Sequence, residues 1–181
     1  MRDLSLHILD LIENSIRAEA TIVSVTVEQE PDADRMRILI EDNGPGIDSP
    51  YELATDPFYT TKQGKRTGLG LSLFRGAAER AGGGLKLSRS SLGGTAVEVE
   101  MRLGHVDRSP LGDLAETISS VVCTNPLLDL RFCLRVGGRT CEVNVADLAK
   151  GHRMGQGCGL SLAREVHGMI LDGLTSLEAI R

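Results

Sequence analysis

Asp10 and Asn14 stand four residues apart in Asp10-Leu-Ile-Glu-Asn14-Ser-Ile-Arg17. On a helix, that spacing places a carboxylate and a neutral amide oxygen one turn apart on one face. Asp42 closes an apolar run and opens Asp42-Asn-Gly44-Pro-Gly46-Ile47. A carboxylate at a strand end can accept a hydrogen bond from an exocyclic amine. Gly44 and Gly46 lack Cβ, so the backbone there can approach a flat ring closely. Gly68-Leu69-Gly70-Leu71 opens a helical pattern, and a helix start offers free N–H groups and a positive dipole end to phosphates. Each feature also has a plain reading: a turn cap for Asp42, an ordinary turn for NGPG, a glycine-rich connector at 68–71, and an exposed helix amide for Asn14.

The elements that must carry these residues follow from periodicity. Residues 4–18 read as an amphipathic helix with Leu4, Ile8, Leu11, Ile12 and Ser15 on one stripe and Asp10, Asn14 and Arg17 on a neighbouring one. Strands are expected at 22–28, 36–42, 85–90 and 95–103, with alternation that suits an antiparallel sheet buried on one face. A helix from Gly68–Leu71 to about Arg80 ends at three glycines, 82–84. A boundary is expected near His105–Pro110, dividing the chain into 1–104 and a helix-hairpin-helix extension, 105–181. In the extension, helices are expected at 111–122 and from about 158 to 171 or beyond, and strands at 129–136 and 139–146. Gly137-Gly138 fits a two-residue hairpin turn that pairs Leu134 with Cys141, Phe132 with Val143 and Leu130 with Val145. The apolar stripe Leu111, Leu114, Ala115, Ile118 and Val122 needs a surface to pack on, in cis or in trans.

Composition bounds the function. The chain has 181 residues, 25% charged and 41% hydrophobic, in the range of a globular protein. A net charge of −5 argues against a generally basic nucleic-acid binder. With no Trp, 2 Tyr and 3 Phe, the core must be aliphatic. Apolar runs fall short of the ~20 residues that cross a bilayer. The N-terminus carries acids inside its apolar pattern, unlike an export signal, so a cytoplasmic protein is expected. Cys123, Cys133, Cys141 and Cys158 form no CxxC pair and read as buried free thiols. With His105, His152 and His167 they match no closed zinc-site spacing.

Taken in order, the N-terminal Asp10–Arg17 segment, Asp42–Ile47, Pro57-Phe-Tyr-Thr-Thr-Lys62, Gly68–Leu71 and Gly94-Thr95 resemble the N, G1, F and G2 boxes and final Gly-Thr pair of the GHKL superfamily. That superfamily covers gyrase, heat-shock chaperone ATPases, histidine kinases and MutL. The resemblance spans 4–103. It implies a two-layer α/β sandwich of the Bergerat type, with a mixed, mostly antiparallel sheet and helices on one face. It implies ATP and Mg²⁺ as cofactors, Asn14 as the Mg²⁺ ligand and Asp42 as the adenine reader, assisted by the Thr95 hydroxyl. Ile47, Leu69 and Leu71 belong to the matched boxes. The segment before Gly68 resembles a short ATP lid of the histidine-kinase kind, in which Lys62 would meet the γ-phosphate. Lys65 and Arg66 read equally well as solvated loop charges.

The resemblance also bears on turnover. ATP-hydrolysing branches place a Glu general base four residues before the Asn. Here Asp10 stands there, one methylene shorter and with less reach to a water. Arg17 matches a Lys that meets phosphate in many histidine kinases; a surface Arg is the plain alternative. Only nine residues precede Asp10, so the phosphoacceptor hairpin of a histidine kinase is not expected upstream, and His7 reads as a packing residue. The whole chain looks like small stand-alone bacterial members of the superfamily. The expected function is an ATP·Mg²⁺-binding regulatory protein with slow hydrolysis or phosphoryl transfer to a partner protein. The rivals are a non-catalytic ATP-sensing interaction module and an anti-sigma-factor-like serine kinase. A homodimer is one role open to the extension. Gly157-Cys-Gly-Leu-Ser-Leu162 echoes Gly68–Leu73 but has no companion boxes, and reads as a helix start.

Overall fold

A computed structural model describes residues 3–47, 69–151 and 158–180. Helix α1 (Leu4–Arg17) is followed by strands β1 (Ile22–Glu30) and β2 (Arg35–Asp42), helix α2 (Leu69–Arg80) and strands β3 (Gly84–Arg89) and β4 (Thr95–Arg102). Helix α3 (Leu114–Thr124), strands β5 (Asp129–Val136) and β6 (Arg139–Asn144), a short helix α4 (Val145–Ala149) and helix α5 (Cys158–Ser176) complete the fold. The strands form one sheet in the order β3-β4-β2-β1-β5-β6. All neighbours run antiparallel except β1 and β5, which pair in parallel from Ile22↔Asp129 to Gln29↔Val136. This is the mixed, mostly antiparallel α/β sandwich that the resemblance implies.

Alternation decides which face is covered. In β1, Val23, Val25 and Val27 are buried while their neighbours are half-buried, and β2 repeats this with Met36, Ile38 and Ile40. The other face is polar: Arg37 bridges Glu98 at 2.9 Å and Glu28 at 3.9 Å across the strands. One aliphatic core joins β1, β2, β4 and β5 to α1, α2, α3 and α5, with Phe74 and Phe132 its bulkiest fully buried side chains. Leu111, Leu114, Ala115, Ile118 and Val122 all lie in it, so the α3 stripe packs in cis.

The hairpin keeps the expected register at Leu134↔Cys141 and Phe132↔Val143. Gly137 and Gly138 hold φ of 54° and 81°, values that favour glycine in such a turn. The Leu130–Val145 pair is not made, because β6 stops at Asn144. Asn144 instead caps α4, accepting from the Asp147 amide at 3.3 Å. Helix α3 begins at 114 rather than 111, where the Asp113 carboxylate accepts from the Glu116 amide at 2.9 Å. Helix α5 continues past residue 171 to Ser176. The thiols expected to be buried are not: Cys123 is exposed near the end of α3, and Cys133 and Cys141 on the β5–β6 hairpin are half-buried. Among the described residues, no helix is long and apolar enough to cross a membrane.

Candidate functional site

Helix α1 supplies one wall of the site. Its buried stripe, Leu4, Ile8, Leu11, Ile12 and Ser15, faces the core and turns Asp10 and Asn14 toward a half-buried flank. Its first amides have no side-chain cap. The amides of Leu4 and Ser5 donate instead to the carbonyls of Pro110 and Leu111, both at 2.9 Å. His7 is buried and stacks on Phe74 of α2, ring centres 4.8 Å apart, which fixes α1 against α2. It is a packing residue, as expected.

Between α1, α2 and the sheet lies a cavity of about 200 Å³. Asn14, Ser15, Asp42, Gly46, Ile47, Leu71 and Thr95 line it, with Leu11, Ile40, Leu87 and Val97 as aliphatic wall. Asp42 is 7% exposed, at the end of β2, and its carboxylate is held from three sides. Oδ1 accepts from the amides of Gly44 at 2.9 Å and Thr95 at 3.0 Å, and Oδ2 accepts from Ser15 Oγ at 2.8 Å. The Asp42 carbonyl accepts from the Gly94 amide at 3.0 Å. An ionised carboxylate has about four acceptor sites, so these donors leave Oδ2 capacity for one more N–H.

The glycines around Asp42 permit this approach. Gly46 has φ +81°, and its Cβ position would sit 3.8 Å from the Gly94 carbonyl oxygen. A Cβ at Gly94 would collide with Asp42 Oδ1 and come within 2.6 Å of the Gly44 nitrogen. Asn43, inside the same motif, turns away: its Oδ1 accepts from the Thr21 and Ile22 amides at 2.9 and 2.8 Å and ties the loop to β1.

Asp10 faces the first turn of α2. The Cβ position of Gly70 lies 3.7 Å from Asp10 Oδ2. Asn14 Oδ1 accepts from a terminal guanidinium nitrogen of Arg17 at 2.8 Å, while Arg17 Nε donates to the Glu13 carbonyl at 3.1 Å. The structure therefore brings Asn14, Asp42, Gly46, Ile47, Leu71 and Thr95 to one cavity, with Gly44 beneath Asp42 and Asp10 against Gly70. Arg17 is placed on Asn14 rather than in the lining. Lys62 and Gly68 lie outside the described residues, as does the side chain of Leu69. Sequence reasoning placed Ser15 only on the buried stripe and missed its bond to Asp42. The available signal was a hydroxyl at the end of an otherwise aliphatic stripe.

Residues 2–105 match the family described as histidine kinase-, DNA gyrase B- and HSP90-like ATPases. Among curated proteins, the nitrate/nitrite sensor protein NarQ of Escherichia coli K12 is 31% identical over 113 residues, 60% of this chain and 18% of NarQ. The sensor protein kinase CarS of Pseudomonas aeruginosa PAO1 is 34% identical over 96 residues, 52% of this chain and 21% of CarS. The aligned regions thus span about a fifth of these relatives. The solved N-terminal domain of a DNA repair protein superposes with a TM-score of 0.52 at 18% identity, covering 80% of this chain and 52% of that domain. At that identity the likeness is one of fold, and its coverage reaches beyond residue 105. The chain belongs to the histidine kinase-, DNA gyrase B- and HSP90-like ATPase family, with a GHKL-type ATP-binding domain over residues 2–105.

Proposed function

We propose that the chain binds ATP with Mg²⁺ in the cavity at Asp42 and passes the γ-phosphoryl group slowly to water or to a partner protein. The observation that carries the reading is the Asp42 carboxylate, buried at the cavity wall with three of its acceptor sites filled by fixed donors. The remaining acceptor capacity suits the N6 amine of adenine and repels the carbonyl of guanine at the same place. Ile47, Leu71 and the aliphatic wall would cover the ring faces, Thr95 would sit beside the base, and Gly44 and Gly46 would leave it room.

The donor set fits Mg²⁺: one neutral oxygen from Asn14, with the remainder from phosphates and water. The ion would neutralise phosphate charge there. The start of α2, with Gly68, Leu69 and Gly70, would present amides to the phosphates, and Lys62 would meet the terminal one. Arg17 would reach phosphate once it leaves Asn14. Asp10 is the proposed general base: it would accept the proton of the attacking water, or of a partner's hydroxyl, as the bond from Pγ to the β–γ bridging oxygen breaks. Its short side chain accounts for slow turnover.

Calorimetry with ATP, ADP and GTP, with and without Mg²⁺, followed by an ADP-release assay, tests the reading. Magnesium-dependent ATP binding with little affinity for GTP is expected. Asp10→Asn should abolish ADP release while leaving ATP affinity within a few fold. Equal binding of GTP and ATP would remove Asp42 from its role. Unchanged ADP release in Asp10→Asn would remove Asp10 from its role.

A further inference from the structure

We propose that the groove between α3 and α5 is a self-association surface whose occupant is the same groove of a second copy of this chain. The two helices run antiparallel. At one end, Glu116 Oε2 lies 4.0 Å from His167 Nε2; at the other, the Cβ position of Gly159 is 3.0 Å from the Cys123 carbonyl. Their inner stripes, including Ile118 and Val122 on α3 and Val166 and Ile170 on α5, are buried in the core. Their outer stripes leave a cavity of about 380 Å³, lined by residues one turn apart on each helix. The rims are formed by Glu116, Ser120 and Cys123 on α3, opposite His167, Arg164 and Leu160 on α5, with buried Ser119 and Ala163 in the floor. Leu160 is 52% exposed, and Leu127, in the turn next to that end, is 84% exposed. Together they put apolar surface in water at that end of the groove, which a second surface would cover.

The charges identify what covers it. The α3 rim carries the acid, Glu116, and the α5 rim carries Arg164 and His167. A twofold axis along the groove lays α3 of one copy against α5 of the other at the same level, again antiparallel. Glu116 then meets the second copy's His167 and Arg164, and Cys123 meets the second copy's Leu160. The result is a four-helix antiparallel bundle in which every neighbouring pair is of opposite direction. Small Ser120 at the middle of the α3 rim permits close helix approach. The groove shares no lining residue with the cavity at Asp42, so association and nucleotide binding can be read separately.

Sedimentation equilibrium of the full chain tests the proposal, with ATP calorimetry and circular dichroism confirming that each variant is folded. A concentration-dependent dimer is expected. Ser120→Arg, which fills the groove from an exposed position, should leave a monomer. Glu116→Arg alone and Arg164→Glu alone should each raise the dimer dissociation constant at least about tenfold, and the double exchange should recover most of that loss. A chain that stays monomeric at all soluble concentrations overturns the proposal. So does a dimer indifferent to Ser120→Arg, or a double exchange no better than the single ones.

Discussion

Ser15 and Asp42 stand 27 residues apart on different elements and form one unit, a hydroxyl holding a buried carboxylate at 2.8 Å. A hydrogen bond to a charged group contributes about 1.5–3 kcal/mol. Ser15→Ala should lower stability by about that amount and, by loosening the Asp42 carboxylate, weaken ATP binding by roughly tenfold. On the proposed reading, Asp42→Asn presents an amide where the adenine amine would need an acceptor and should weaken ATP more than Ser15→Ala does. Calorimetry on both variants ranks them, and the reverse order would mean that Ser15 acts on the fold rather than through Asp42. Arg17 adds a second prediction at this scale. Its guanidinium holds the Asn14 oxygen that Mg²⁺ would need. Arg17→Ala should lower the Mg²⁺ concentration at half-maximal ATP binding while reducing ATP affinity at saturating Mg²⁺; an unchanged Mg²⁺ requirement would show that the contact opposes nothing. Asp42, Asn14 and the glycines were legible because their types are chemically unusual at their positions. The Ser15 bond and the Arg17 contact were not, because each depends on which neighbour a side chain meets after folding.

At the scale of elements, local signals were legible and distant partners were not. The β5–β6 hairpin could be registered from Gly137-Gly138 and the alternation of Phe132, Leu134, Cys141 and Val143, because turn geometry fixes register. The parallel pairing of β5 with β1 had no such signal: the strands are far apart in sequence, and burial of a shared face selects the pair. The end of β6 was misplaced for a related reason. Val145 continues the alternation, but the Asn144 side chain offers the next amides a helix cap. The turn from β3 to β4 carries a prediction. Gly94 has no room for a Cβ against Asp42 and Gly44, whereas Gly84, at the start of β3, has open space. Gly94→Ala should cost about 1–3 kcal/mol and abolish ATP binding, as overpacking displaces Asp42. Gly84→Ala should leave both within the range of a surface substitution. Thermal melts with and without ATP check both variants, and a Gly94→Ala protein with native ATP affinity would remove this turn from the site.

For the molecule as a whole, physical continuity runs across the boundary expected at residue 104. Strand β5 covers the edge of β1 residue by residue, and α3 and α5 share the core with α1 and the central strands. The helix that carries Asp10 and Asn14 begins on the carbonyls of Pro110 and Leu111. Without residues 105–181, β1 becomes an exposed edge, α1 loses the acceptors for two of its first amides, and apolar faces such as Val23–Val27 lose part of their cover. Stability margins of about 5–15 kcal/mol do not absorb such losses. A chain ending at 104 should therefore lack a cooperative melt, bind a hydrophobic dye and fail to bind ATP. Because truncation removes many contacts at once, Gly112→Ala gives a finer probe in the intact chain. Gly112 has φ +76°, and a Cβ there would come within 2.6 Å of Asp3 and collide with Ser5 Oγ at the start of α1. That substitution should cost about 1–3 kcal/mol, a fall in melting temperature of several degrees. It should also lower ATP affinity, although Gly112 is absent from the lining of the cavity at Asp42. If residues 1–104 melt cooperatively with full ATP affinity, the ATP-binding segment stands alone and the C-terminal segment is an accessory. If instead both variants lose ATP, the C-terminal segment is what holds α1, and with it Asp10 and Asn14, in register with Asp42.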